Sequence, residues 1–173
     1  MRIINKQKIN LFLYKHLPII LLFISVLNES DSNYLDFEYF SFNFSYILIF
    51  YFNLKRSQSV GYVLVFLAGL FNDVILGTPM GLSSLMFLIL CVAASYLRNI
   101  TLRPSLIKDS IFFLITILII NSLLSIILNF IFDFELNYHE QIISIIWTFL
   151  LYFLFSTIFD FFGHHFLGRN NAR

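Results

Sequence analysis

Charge is scarce in this chain. Asp, Glu, Lys and Arg together make up 12% of its residues, about half the share of an average soluble domain. With 59% hydrophobic residues and a mean hydropathy of +0.84, too little polar surface remains to wrap a water-soluble globule of 173 residues. Cysteine occurs once, at Cys91, which excludes a disulfide scaffold. A formal net charge of +1 supplies no basic field, so no nucleic-acid partner is expected. The six glycines form neither a phosphate loop nor a dinucleotide fingerprint. His164 and His165 are adjacent and lack the spacing of metal ligands, while His16 and His139 fall at opposite ends of the helices outlined below. No catalytic, metal or cofactor-binding set is read from the sequence, and an enzyme is not expected.

What remains is an all-α integral membrane protein in a single polytopic domain, 1–173. A helix crossing about 30 Å of hydrocarbon needs roughly 20 apolar residues. Six transmembrane helices are expected, at approximately 11–27, 37–54, 60–76, 82–97, 110–132 and 142–162. The first contains Lys15, His16 and Pro18, so Lys15 is expected to snorkel or the first turns to lie along the interface. The third and fourth are separated by Gly77-Thr78-Pro79-Met80-Gly81. There a glycine ends one helix, a hydroxyl residue caps, and a proline at the first helical position restarts.

The charges orient these spans. All 11 basic residues fall on one side, among them Lys15, Lys55, Arg56, Arg98, Lys108 and Arg169. The opposite loops carry Glu29, Asp31, Asp36 and Glu38, then Asp133, Glu135 and Glu140, with no Lys or Arg. By the positive-inside rule both termini are cytoplasmic. Tyr51, Tyr62 and Tyr96 mark the inner boundary, and Tyr138 and Trp147 the outer.

An ionisable group inside a span is a functional candidate by default, and Asp73 and Asp160 are the two read there. Asp73 lies about 20 Å from the start of its helix, in the last turn, where the helix dipole disfavours a carboxylate. It needs partners, and the amides of the restarting helix together with the hydroxyls of Thr78, Ser83 and Ser84 are the candidates. Asp160 sits near the inner boundary within reach of headgroup water. The two differ in depth by roughly 17 Å, which excludes an aspartyl dyad. Asn121 and Asn129, with Ser122 and Ser125, are expected to bond between helices, and Ala68-Gly69 and Ala93-Ala94-Ser95 to let helices approach closely.

The block from Phe66 to Leu82 resembles the signature of the rod shape-determining protein MreD family: Phe-x-x-Gly-Leu-x-x-Asp, three residues, Gly-x-Pro-Leu-Gly, then an apolar helix. Phe66, Gly69, Leu70, Asp73, Gly77, Pro79 and Gly81 fit it, with Met80 in place of leucine. Where that family often has Arg-Pro after the second span, here Ser57 follows Arg56. The resemblance implies a multi-pass protein of the bacterial inner (cytoplasmic) membrane that supports cell shape and peptidoglycan synthesis without catalysis. Implied partners are an MreC-like bitopic protein and, in the same elongation (rod) complex, MreB, RodA and its transpeptidase, besides membrane lipid. It also implies a fold similar to the substrate-binding component of energy-coupling-factor transporters. Gly69, Asp73, Gly77, Pro79 and Gly81 would form the structural or partner-binding hairpin.

The alternative function is a small-molecule, vitamin-type binding subunit of a membrane transporter. Against it, the first span holds no Ala-x-x-x-Ala docking face, since the four alanines are Ala68, Ala93, Ala94 and Ala172. Polar residues to line a ligand pocket are also few.

Overall fold

The structure is a computed structural model describing residues 16–27, 42–55, 60–101, 105–133 and 138–168, with side chains to residue 162. These residues form six helices and no strand: α1 (His16–Leu27), α2 (Phe44–Lys55), α3 (Tyr62–Leu76), α4 (Leu82–Ile100), α5 (Leu106–Phe132) and α6 (Tyr138–Gly168). α4, α5 and the Tyr138–Phe162 part of α6 are long and apolar enough to cross a membrane, and α1 and α3 are shorter apolar helices. This is the composition of a membrane protein. Lys15 with the rest of 11–15, the segment 28–41, Arg56, the side chains of His164 and His165, and Arg169 lie outside the described residues.

Helix boundaries differ from the hydropathy reading in instructive ways. α5 begins at Leu106, not 110, and α6 at Tyr138, not 142, because amphipathic first turns extend a helix beyond its apolar stretch. α2 is the opposite case. Residues 42 and 43 precede it in non-helical backbone, and the Asn43 N–H is drawn instead to Thr148 Oγ1 on α6, at 3.0 Å. Its 12 residues rise about 18 Å.

α2 is the centre of the bundle. Ser45 to Leu54 are all buried, as a helix that is apolar all round must be. Ser25 of α1 bonds Ser45 at 2.8 Å, and the Tyr46 ring meets Phe87 of α4 edge-on. Phe50 meets Phe113 of α5 and Tyr152 of α6, which in turn stack on each other at 4.2 Å. Tyr51 and Phe52 both contact Phe159. The phenylalanine-rich composition is therefore spent largely on one aromatic core. α4 buries Ser83, Phe87, Leu90, Ala94 and Leu97, one stripe at three-to-four spacing against α2 and α3.

Successive helices run in alternating directions. The end of α2 lies with the end of α4 and the start of α5, through Arg98 to the Asn53 carbonyl and Lys55 to Asp109. The end of α3 lies with the start of α4. α3 and α4 approach so closely at Gly69 that an added Cβ would collide with the Ser84 main chain. That neighbour is backbone, so relief requires moving a helix. Ala68 and Ala94, both fully buried, serve the close approach expected of small residues.

Gly69→Ala is expected to destabilise the folded protein by about 1–3 kcal/mol through overpacking. Gly61→Ala, where nothing lies within 4 Å of the added atom, should be nearly silent. Thermal unfolding of the two variants in detergent measures the contrast, and equal melting temperatures would refute the close contact.

Candidate functional site

The α3–α4 hairpin is built around one carboxylate. α3 ends at Gly77, whose left-handed φ of +66° is available to glycine at little cost. The N–H groups of Gly77 and Thr78 both fold back onto the Asp73 carbonyl. The Asp73 side chain then reaches forward. Its Oδ1 accepts from the Ser83 N–H at 2.8 Å and the Thr78 hydroxyl at 3.0 Å, and its Oδ2 accepts from the Gly81 N–H at 2.7 Å. Asp73 is 0% exposed.

The geometry explains why an acid is tolerated here. α4 starts after Gly81, which sits at φ +96° and has no side chain to cap the helix. Orphan N–H groups at a helix start ordinarily take an oxygen from the N-cap residue. Asp73 supplies that oxygen from the neighbouring helix, with its charge at the favourable end of the α4 dipole. This offsets its unfavourable place at the end of α3.

Two expectations need correction. Ser84 is not a partner of Asp73: its hydroxyl donates to the Phe66 carbonyl at 2.9 Å, tying α4 to the middle of α3. The Ser83 contribution is its amide, while its hydroxyl accepts from Asn72 Nδ2 at 3.1 Å. Nor is Pro79 the first helical residue. It lies in the turn, its carbonyl accepting the Leu82 N–H, because the left-handed Gly81 delays helical geometry and the Thr78 hydroxyl is committed to Asp73. Of the residues expected together, Asp73, Gly77 and Gly81 are joined by hydrogen bonds through Asp73. Pro79 shapes the turn between the two glycines, and Gly69 lies a turn deeper against Ser84. Outside the turn the hairpin presents apolar side chains, with Met80 76% and Val74 62% exposed.

A second polar group lies at the opposite end of the bundle, and the sequence reading overlooked its key member. Asp109, one residue before the expected span 110–132, lies in the first turn of α5, only 2% exposed, 3.4 Å from Lys55 Nζ. The signal was present: Ser105 at the N-cap position with an acid in the first turn marks a helix start. Nearby, Arg98 donates to the Asn53 carbonyl at 2.8 Å and closes the end of α2. Asp160 is half-buried and accepts from the Tyr51 hydroxyl at 2.7 Å, so it ties α6 to α2; it does not lie at the helix end, because α6 continues past the expected 162 to Gly168. Cys91 is buried and accepts from Asn53 Nδ2 at 3.1 Å. Among the described residues no group of three His, Cys, Asp or Glu side chains is arranged to hold a metal.

On α5, Asn121 donates to its own helix at the Ile117 carbonyl, whereas Ser125 bonds Gln141 and Asn129 bonds Tyr138 across to α6. The expected inter-helix bonding thus holds for Asn129 and Ser125 and not for Asn121 or Ser122.

The family model described as rod shape-determining protein MreD matches residues 8–169 of the 173-residue chain. No curated protein and no solved structure matches the chain.

Two stability outcomes follow from the two clusters. Asp73→Ala strands the Gly81 and Ser83 amides and should cost on the order of 3 kcal/mol. Asp73→Asn, which keeps one acceptor oxygen, should cost clearly less, and equal loss of melting temperature would contradict the capping role. Lys55→Met leaves Asp109 buried without its cation, at a cost of about 3–5 kcal/mol, whereas Lys55→Met with Asp109→Leu should recover most of it. A double variant as unstable as the single would argue against the pair.

Proposed function

Because the chain belongs to the rod shape-determining protein MreD family, we propose that it is a non-catalytic scaffold of the bacterial cell-elongation complex, supporting peptidoglycan synthesis through protein contacts. In this reading all six helices cross the inner membrane as one domain, with both termini in the cytoplasm and a fold like that of energy-coupling-factor substrate components. The described charges support the orientation. Lys55, Arg98 and Lys108 gather at one end of the bundle, and Asp133 and Glu140 at the other.

The observation that carries the proposal is how Asp73 is used. It is the buried acid of the segment resembling the family signature, and three donors within the hairpin occupy its oxygens. A carboxylate so engaged sets the shape of a turn, its oxygens taken up by the chain itself. What the turn offers outward is apolar surface at Phe71, Val74, Leu76 and Met80, suited to a helix of an MreC-like bitopic protein. MreB, RodA and its transpeptidase would then be joined through the complex.

Affinity purification from native membranes tests this. The wild-type chain is expected to recover the bitopic protein and the synthase. Met80→Ser, which alters an exposed side chain and leaves the clamp intact, should recover several-fold less at unchanged membrane level. Changing Asn170 to Arg173 should have no such effect. Recovery of a transporter energising module in their place, or normal rod growth after deletion, would overturn the proposal.

A further inference from the structure

The geometry points to a pairing face for a second copy of this chain: the cleft between α5 and α6, walled by Asn121, Ser122, Ser125 and Asn129 on one side and Gln141 on the other. It rests on α5 and α6 crossing the bilayer, as proposed above.

The cleft has a volume of ≈ 380 Å³ and opens beside protruding apolar side chains, Phe130 at 84% and Ile126 at 52% exposed. It coincides with a gap in the packing of α5, where no residue between Ile120 and Leu128 is buried. From Asn121 to Asn129 the polar line runs eight residues, about 12 Å along the helix. Its bonding capacity is largely unspent. Asn121 donates to its own helix, Asn129 reaches Tyr138 at 3.3 Å, and Gln141 accepts from Ser125. Among the described residues, the side-chain Oδ1 atoms of both asparagines, the Gln141 amide nitrogen and the Ser122 hydroxyl take no partner, while the Asn121 main-chain carbonyl accepts from Ser125.

Acyl chains cannot satisfy such groups, and a polar line facing hydrocarbon is costly until another helix covers it. A line 12 Å long beside a lipid-facing cleft suits a helix better than a small solute. A second copy meets the requirement without further assumptions. Two copies in one membrane share orientation, so a two-fold axis along the membrane normal sets each residue opposite its own equivalent at the same depth. Amides are donors and acceptors at once, so identical asparagines can pair with each other. The surface also carries a projection beside a hollow, Phe130 next to the cleft, as an isologous interface requires.

The lone native cysteine makes the test simple, because Cys91 is 0% exposed. Ser122→Cys in the full chain is oxidised in membranes. A predominant disulfide-linked dimer is expected, with no more than a trace from Val92→Cys on the exposed face of α4. Adding Asn121→Leu and Asn129→Leu to Ser122→Cys should cut the dimer at least fivefold at equal membrane level. Equal crosslinking at positions 122 and 92, no dimer at all, or crosslinking of Ser122→Cys to a different membrane protein would overturn the pairing. Labelling by a membrane-impermeant maleimide separates the premise from the inference. Slow labelling with no dimer sinks the pairing alone, while labelling as fast as an aqueous thiol sinks the crossing of α5 and the pairing together.

Discussion

Ending one helix and starting the next in apolar surroundings leaves about eight backbone groups without intrahelical partners. Water would ordinarily take them. The α3–α4 hairpin solves the problem with a single residue used twice: the Asp73 carbonyl collects the N–H groups that close α3, and its carboxylate collects those that open α4. The two glycines make this possible, since each takes a left-handed conformation with open space around it. The rest of the α3–α4 pair depends on that turn. Only with the turn fixed does Gly69 come to rest against Ser84, and only then does the Ser84 hydroxyl reach the Phe66 carbonyl.

The central helix raises the same difficulty in another form. α2 is covered on every side, so its ends also need partners from within the chain. At its start the Thr148 hydroxyl takes the Asn43 N–H, and Ser25 meets Ser45. At its finish Arg98 takes the Asn53 carbonyl, Lys55 faces Asp109, and Tyr51 holds Asp160. Polar side chains from four other helices thus converge on the two ends of α2, and the aromatic rings fill what lies between. This division keeps charge away from the middle of the bundle, where its desolvation would cost most.

Much of this could be read from sequence wherever the signal is local. Gly77 and Gly81 bracket a turn by their backbone freedom alone, and an acid at the end of a helix five residues before a threonine must find donors nearby. Local signals also misled. Pro79 suits a first helical position in isolation, but it lies in the turn ahead of the left-handed Gly81, and α4 starts at Leu82, where the apolar span was expected to begin. Long-range partners were the least legible. Asp109 has the look of a loop acid until Lys55, 54 positions earlier, is known to lie beside it. The shortness of α2 depends on Thr148, and an all-apolar helix has no period from which its neighbours could be inferred.

Satisfaction of polar groups separates residues that hold the fold from those that seek something outside it. Inside the bundle, Asp73, Asn53 and Ser84 have their bonds completed by the chain itself; among the described residues Tyr152, Ser156, one oxygen of Asn72 and one of Asp109, which has only its ion pair with Lys55, are buried exceptions. Substituting the completed groups damages stability first and assembly second, so loss of function at Asp73 alone says little about contact with a partner. The exposed surfaces are of two kinds. The hairpin tip is apolar and asks only for shape, whereas the α5–α6 face carries amides whose bonding is unfinished. In hydrocarbon the first surface tolerates lipid and the second does not. If the chain acts as proposed, a contact made and broken during growth belongs on the first, and a lasting one on the second, because only there does separation leave polar groups stranded.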